Sequence, residues 1–250
     1  MKVADMKKLY DIHCHLLPYV DDGAYDAQEA IDLIYMQKAQ GVETIVLTPH
    51  YRSHMFETDD ATIRQRYRDL CKAKTQIPNL SSMSLFLSRE YYCDKAWIKL
   101  VELGQIITIG RGQTLLMEFS YMYSIDTMLE YIKYALSYGY KPLIAHVERY
   151  SCIQSKPESA QRLIEAGAYL QVNAASILGR EGIQQKWICK KLMKRDLVHI
   201  VASDAHHIDY RSPDMGVCAA YIEKKMGETY ALKILCTNPQ KITNIEGIGV

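Results

Sequence analysis

Nine side chains able to bind a metal ion sit at or near the ends of apolar runs. His13 and His15 lie in DIHCH, Asp22 in VDDGA, His50 closes TIVLTPH, and Glu90 follows MSLFLSR. Glu118 lies near the end of TLLMEF, His146 closes PLIAH, and Asp204 and His206 belong to SDAH. Residues two apart on a strand project from one face, so His13 and His15 can serve one ion. An isolated HxH fits core packing as well. Asp204 and His206 repeat that spacing. A hard carboxylate beside a borderline imidazole suits zinc, manganese or iron rather than calcium. The competing reading of Asp204 is a helix N-cap. A Glu ending a buried strand is costly unless paired or metal-bound, which singles out Glu90 and Glu118. Asp22 reads equally well as a plain turn residue. Five His, two Asp and two Glu are too many for one ion and suit a cluster of two or three. Clustered metals would generate hydroxide near neutral pH and stabilise the attacking and leaving oxygens of a phosphoryl centre. Arg149 in HVERY and Arg211 in HHIDYRSP follow two of these candidates closely. A guanidinium fork matches two phosphate oxygens; a surface salt bridge is the ordinary alternative.

Something must bring these residues together. Residues 27–40 carry apolar positions at three-to-four spacing and end at Gly41, which predicts a helix. VETIVLTPH reads as a buried strand, 59–75 as a polar helix, and MSLFLSRE, TLLMEF, PLIAHVE, YLQVN and LVHIVASD as further strands. Helical patterns lie near 94–103, 125–138, 158–166 and 183–195, with Gly104, Gly139 and Gly167 at expected stops. Alternating strands and helices imply a parallel sheet with helices outside it. In a closed β/α barrel all strand C-termini meet on one face, where active sites sit. An open sheet would spread them along an edge, so convergence favours a barrel or a strongly curved sheet.

Composition narrows the class. The 250 residues carry 30 basic and 29 acidic side chains, a net +1 that gives no global reason to expect nucleic acid or an anionic membrane. No run approaches the roughly 18 apolar residues needed to span a bilayer, and the start lacks a secretory apolar core. Seven Cys without a CxxC pair favour a reducing cytoplasm over a disulfide framework. No repeat or linker divides the chain, so a single domain is expected. The excess of 19 Tyr over 3 Phe has no explanation at this level.

DIHCHLLP, VDDGA, TPH, RE before YY, MEF, IAHVERY, QVN and VASDAH together resemble the polymerase and histidinol phosphatase (PHP) superfamily. More closely they resemble its bacterial tyrosine-protein phosphatase branch, associated with capsule and exopolysaccharide synthesis. The resemblance runs from about residue 10 to NPQKI near 241, which leaves 1–9 as an N-terminal extension and 10–250 as the phosphatase domain. It implies an α/β fold, a distorted (β/α)7 TIM-like barrel of the PHP type. One metal would take His13, His15, Glu90 and Asp204. A second would share Glu90 and add Glu118 and His146. A third would take Asp22, His50 and His206. Two or three divalent ions are implied, manganese first, with iron or zinc as alternatives. Arg149 and Arg211 would bind the substrate phosphate. The implied reaction is hydrolysis of phosphotyrosine by metal-bound hydroxide. The implied substrate is the Tyr-rich tail of a bacterial tyrosine kinase of polysaccharide export. A small-molecule phosphatase such as histidinol-phosphatase is the alternative, and a nucleic-acid enzyme or a non-catalytic binding module fits less well.

Cys189 and Arg195 match the Cys-x5-Arg spacing of thiol-dependent tyrosine phosphatases. The intervening KKLMK has no Gly for a phosphate-binding loop, and IQQKWICKKLMKRD reads as an amphipathic helix instead. Lys190, Lys191, Lys194 and Arg195 read as its solvated face. His199 is expected to be a packed strand residue, His207 a neighbour of the ligands, and Cys14 to point away from His13 and His15. Arg52, Met55 and Phe56 stand where substrate would approach, in a segment read as a mobile loop.

Overall fold

The computed structural model describes residues 8–245. Among the described residues nine strands run in chain order: β1 (Leu9–Cys14), β2 (Val42–Leu47), β3 (His50–Tyr51), β4 (Ser84–Leu87), β5 (Glu90–Tyr92), β6 (Thr114–Glu118), β7 (Lys141–Ile144), β8 (Tyr169–Asn173) and β9 (Ile200–Ala202). Their paired neighbours are all parallel, in the orders β1-β2-β4 and β3-β5-β6-β7-β8-β9. The two sheets continue one another. β2 runs into β3 across Thr48 and Pro49, and β4 into β5 across Ser88 and Arg89. Backbone bonds from Ser88 N to Leu47 O (2.9 Å) and Glu90 N to Pro49 O (3.2 Å) carry the pairing through. The far edge curls back: His15 N donates to Ala205 O at 2.8 Å and Asp204 N to His13 O at 2.9 Å. The fold is thus mixed α/β with a curled parallel sheet.

Two apolar layers flank this sheet. Tyr10, Ile12, Val46, Leu116, Leu143 and Ile200 fill its concave side, closed at one end by Ile242 and Ile245. The larger cluster, including Trp97, Tyr91 and Tyr150, lies between the convex side and the helices. Strands buried on both faces need near-continuous apolar sequence, which is why these runs do not alternate. β1 carries one irregularity that matters. Asp11 pairs with Ile45 but Cys14 pairs with Leu47, so β1 holds one extra residue. A bulge shifts the alternation of side chains. Tyr10 and Ile12 face inward before it; His13 and His15 face inward after it, and Cys14 packs outward with its thiol 3.4 Å from Val46 O.

The helices are α1 (Ala27–Ala39), α2 (Asp60–Thr75), α3 (Lys95–Glu102), α4 (Ile125–Ser137), α5 (Ser151–Ser155), α6 (Ala160–Glu165), α7 (Ala174–Leu178), α8 (Ile183–Lys194), α9 (Met215–Met226), α10 (Glu228–Leu232) and α11 (Asn238–Thr243). The first four start on side-chain caps from Asp26, Asp59, Asp94 and Ser124. No helix among the described residues is long and apolar enough to cross a membrane.

Several expectations need correction. Residues 1–7 of the expected extension lie outside the described residues, and β1 already begins at Leu9. LVHIVASD forms a strand only over Ile200–Ala202, so His199 stands before β9, half-buried. PLIAHVE is extended only to Ile144; Val147–Arg149 is a 3-10 turn, entered through His146 at φ 31°. The 158–166 helix divides into a 3-10 turn at Pro157–Ser159 and α6. Cys189, by contrast, lies in α8 as its sequence context predicts and is fully buried, with burial holding its thiol well above the usual range. That environment disfavours a thiolate nucleophile.

Candidate metal centre

All nine expected ligands reach one end of the curled sheet, and the elements explain how. The bulge aims His13 and His15. β3 and β5 start with His50 and Glu90, paired directly in register. β6 ends on Glu118. His146, Asp204 and Arg211 each occupy left-handed backbone (φ 31°, 52° and 54°), uncommon for residues with a side chain. Such strain, held by surrounding structure, clusters at functional sites.

The tightest group is His13 Nε2, His15 Nε2, Glu90 Oε2 and Asp204 Oδ1. The two imidazole nitrogens are 3.3 Å apart, Glu90 lies 3.3 and 3.4 Å from them, and Asp204 lies 3.5 Å from each. Donors about 2.1 Å from a tetrahedral ion stand about 3.4 Å from one another. The fit is close for His13, His15 and Glu90. It is reinforced by Glu90 Oε2, a fully buried oxygen without a hydrogen-bond partner, a costly arrangement unless a cation meets it.

A second group forms around Glu90 and Glu118. His146 Nε2 is 3.0 Å from Glu90 Oε1 and 3.8 Å from Glu118 Oε1; His50 Nδ1 is 3.0 Å from Glu90 Oε2 and 3.9 Å from Glu118 Oε2. A third forms where Asp22 Oδ1 faces His50 Nε2 (3.6 Å) and His206 Nε2 (3.7 Å), the latter also buried without a hydrogen-bond partner. His50 thus faces the second group with one nitrogen and the third with the other. His15 also lies within reach of the third group.

The outer nitrogens of several rings are already committed. His15 Nδ1 donates to Asp21 Oδ2 at 2.7 Å, His13 Nδ1 to Gln171 Oε1 at 3.2 Å, and His206 Nδ1 to the Asp204 carbonyl at 2.9 Å. Each leaves an Nε2 lone pair facing inward, the tautomer a metal needs. Gln171 Nε2 in turn donates to Asn173 Oδ1 (2.8 Å), and Asn173 Nδ2 to Asp204 Oδ2 (2.8 Å). The electrostatics agree. Although burial opposes it, Glu90 and then Asp204 carry His13 up to about 9. Glu90 likewise outweighs burial to carry His50 up to about 10. Burial also opposes ionisation of Glu90 and Asp204, yet the imidazoles around Glu90 hold it well below the usual carboxylate range. Arg211 and Arg149 do the same for Asp204. A field that draws protons onto these rings also draws a divalent cation.

Asp204 joins this cluster to both arginines. While Oδ1 faces the imidazoles, Oδ2 accepts from Arg211 Nη2 (2.7 Å) and forms an ion pair with Arg149 Nη1 (3.0 Å). Arg149 is further tied to Glu181, with Nη2 at 2.5 Å and Nε at 3.3 Å. Arg211 Nε is buried without a hydrogen-bond partner. Both guanidinium groups line a pocket of about 280 Å³ with Asp22, His50, Glu118, His146 and Asp204, and with Arg52, Met55, Phe56 and Tyr121 at its sides. An anion held by the arginines would therefore lie against the donor cluster.

Sequence reasoning misses Asp21, Glu181 and Tyr121, and gives Gln171 and Asn173 of QVN no role. Asp21 had a signal, the doublet in VDDGA. Gly23 in that motif is fixed by contact, since a Cβ there would lie 1.9 Å from His15 O. His207 donates Nε2–H to the Asp22 carbonyl at 2.9 Å, as expected of a ligand's neighbour. His54 is exposed and outside the cluster.

Known proteins share this arrangement of chain. The family described as capsular polysaccharide synthesis, CpsB/CapC, matches residues 9–244. Tyrosine-protein phosphatase CpsB of Streptococcus pneumoniae is 31% identical over 239 residues, covering 94% of this chain and 98% of its own. A crystal structure described as YwqE from Bacillus subtilis and CpsB from Streptococcus pneumoniae, unique metal-dependent tyrosine phosphatases, superposes with a TM-score of 0.86. Its identity is 26%, over 95% of this chain and 96% of that one. A phosphotriesterase homology protein from Escherichia coli shares the fold with a TM-score of 0.66 at 13% identity, over 96% of this chain and 99% of its own.

Proposed function

This chain belongs to the capsular polysaccharide synthesis CpsB/CapC family, and we infer that its pocket hydrolyses phosphotyrosine with divalent metal ions held among the nine converging donors. The observation that carries this is the close approach of His13, His15 and Glu90, with Asp204 3.5 Å from both imidazoles, around a buried Glu90 oxygen without a hydrogen-bond partner. Those four would hold one ion, Glu90, Glu118 and His146 with His50 a second, and Asp22, His50 and His206 a third. When bound, the ions supply positive charge against phosphoryl oxygens and lower the pKa of water at the site. Manganese suits this mixture of carboxylate and imidazole, as do iron and zinc.

The chain's own groups do the rest. Arg211 lines the pocket and carries a buried Nε–H without a hydrogen-bond partner. Arg149 has five N–H bonds, of which Glu181 accepts two, while Asp204 pairs with its charge; the others can meet phosphate. Together they offset the charge of about −1.5 to −2 on a phosphate monoester. Asp204 holds both arginines beside the donor cluster. A tyrosyl oxygen, pKa about 10, leaves with less help from a general acid than an alkoxide.

The architecture extends the same reading. Taking β2 with β3, and β4 with β5, as single interrupted strands gives seven staves. The backbone bonds joining residues 13–15 to 204–205 support closure into a distorted (β/α)7 TIM-like barrel of the PHP type. We take residues 10–250 as one phosphatase domain. A reducing cytoplasm suits the seven free cysteines, and the Tyr-rich tail of a bacterial tyrosine kinase of polysaccharide export is the substrate we propose.

The test is a side-by-side comparison of a phosphotyrosine peptide, a phosphoserine peptide and histidinol phosphate, using metal-loaded protein. The phosphotyrosine peptide is expected to have the highest kcat/KM. Preference for histidinol phosphate would make this a small-molecule phosphatase.

A further inference from the structure

The lining of the pocket changes character from floor to wall. Its floor is charged or metal-binding: Asp22, Glu118, Asp204, the imidazoles and the two arginines. Met55, Phe56 and Tyr121 supply apolar surface at its sides, next to Arg52. The two aromatic rings stand directly beside expected ligands. Phe56 stacks on His50, with centroids 5.2 Å apart and planes 13° from parallel. Tyr121 meets His146 edge-on at 6.4 Å.

Both rings are held by built structure. Phe56 closes a tight loop in which Arg52 N donates to Phe56 O (3.0 Å) and Phe56 N to Arg52 O (2.8 Å). His54 turns that loop in left-handed backbone at φ 63°. Arg52 is itself anchored over the Tyr92 ring at 4.2 Å. Tyr121 is pinned through its carbonyl, which accepts from Ser151 N at 2.9 Å, and its ring packs 6.2 Å from Tyr150. Tyr121 nonetheless stays 47% exposed, so one side of the ring is available to a ligand.

We propose that Phe56 and Tyr121 form an aryl slot that selects phosphate esters of aromatic alcohols over those of aliphatic ones. The proposal rests on the phosphotyrosine reading of the same site and names the residues that enforce it. A phosphate drawn to Arg149, Arg211 and the donor cluster carries its ester group back out between these walls. A phenyl ring there gains aromatic contacts that an alkyl chain cannot make. At about 280 Å³ the pocket is at the small end of ligand sites, suited to one aryl phosphate rather than a bulky fold.

Leaving-group chemistry must be kept out of the test, so binding is measured with non-hydrolysable anions. Inhibition constants of phenylphosphonate and methylphosphonate are compared against p-nitrophenyl phosphate hydrolysis by the full, metal-loaded chain. The wild type should prefer phenylphosphonate. Phe56→Leu and Tyr121→Leu should each shrink that preference about fivefold, the order expected for one aromatic contact. Leu keeps apolar bulk at these partly exposed positions, so the loop retains its packing. Tyr121→Phe should keep the preference. An unchanged ratio in both Leu variants overturns the slot, and so does loss of preference in Tyr121→Phe, which would assign the effect to the hydroxyl. The underlying function fails separately: metal-loaded wild type would then leave phosphotyrosine peptides intact, whatever the inhibition constants.

Discussion

Asp21 and Asp22 are adjacent and chemically identical, yet their surroundings divide them. The Asp21 side chain is buried, and its oxygens accept from His15 Nδ1, His50 N and Gly23 N. Burial works against its ionisation, but the His15 imidazole outweighs that and holds it below the usual carboxylate range. Asp22 is about half exposed, with Oδ1 turned toward His50 and His206. Asp21 therefore orients a ligand while Asp22 is placed to be one. Asp21→Asn puts an amide N–H against the His15 or His50 donors, so metal affinity should fall about 10- to 100-fold, the usual effect of losing an orienting partner. Metal titration of stripped protein reads this directly; unchanged affinity would remove Asp21 from the site. At this scale most ligands are legible because they stand at or near the ends of apolar runs, whereas Asp22, in the VDDGA turn, reads equally well as a turn residue. The ligands' supports are not. Glu181 lies in an ordinary Gly-Arg-Glu-Gly turn, and only three-dimensional structure brings it to Arg149.

Elements fix the geometry that side chains use. The extra residue in β1 lets Ile12, His13 and His15 share the concave side, a device that apolar patterning does not reveal. The edge between β8 and β9 depends on His199, whose Nδ1 accepts from Leu170 N at 3.2 Å. Burial, aided by Lys233, lowers this imidazole below its ordinary value. Neutral His199 is thus the form the fold favours. Its contribution is complete above about pH 6.5, where the unfolded chain is also neutral. It is lost as pH falls from there toward the depressed folded value, because the unfolded state takes up the proton first. His199→Gln should flatten this acid-side loss in thermal unfolding between pH 7 and 5.5; an identical slope would show that His199 is not linked. The same segment shows where sequence reading fails. LVHIVASD reads as one strand because Leu197 and Val198 are buried, yet they pair with nothing regular, and burial was mistaken for pairing. Helix α9 carries a signal in Met215, Cys218, Ala219 and Ile222, at three-to-four spacing, that makes it legible in the sequence as well. Some of the tyrosine excess now has a use. The hydroxyls of Tyr67, Tyr91 and Tyr150 bond backbone at Leu85 O, Ile107 N and Ala145 O, tying elements together where Phe could not.

Across the whole molecule a net charge of +1 conceals a steep separation. Carboxylates, imidazoles and two arginines gather at one end of the curled sheet, and His146, Asp204 and Arg211 hold left-handed backbone there. The central claim is that this gathering exists to hold divalent metal, and that hydrolysis depends on it. The most direct measurement is phosphotyrosine-peptide turnover with metal content determined on the same samples, before chelation, after it, and after manganese is restored. Activity should vanish with the metal and return with it, since only bound ions supply the charge that activates water at this site. Undiminished turnover by protein shown to be metal-free would contradict the account.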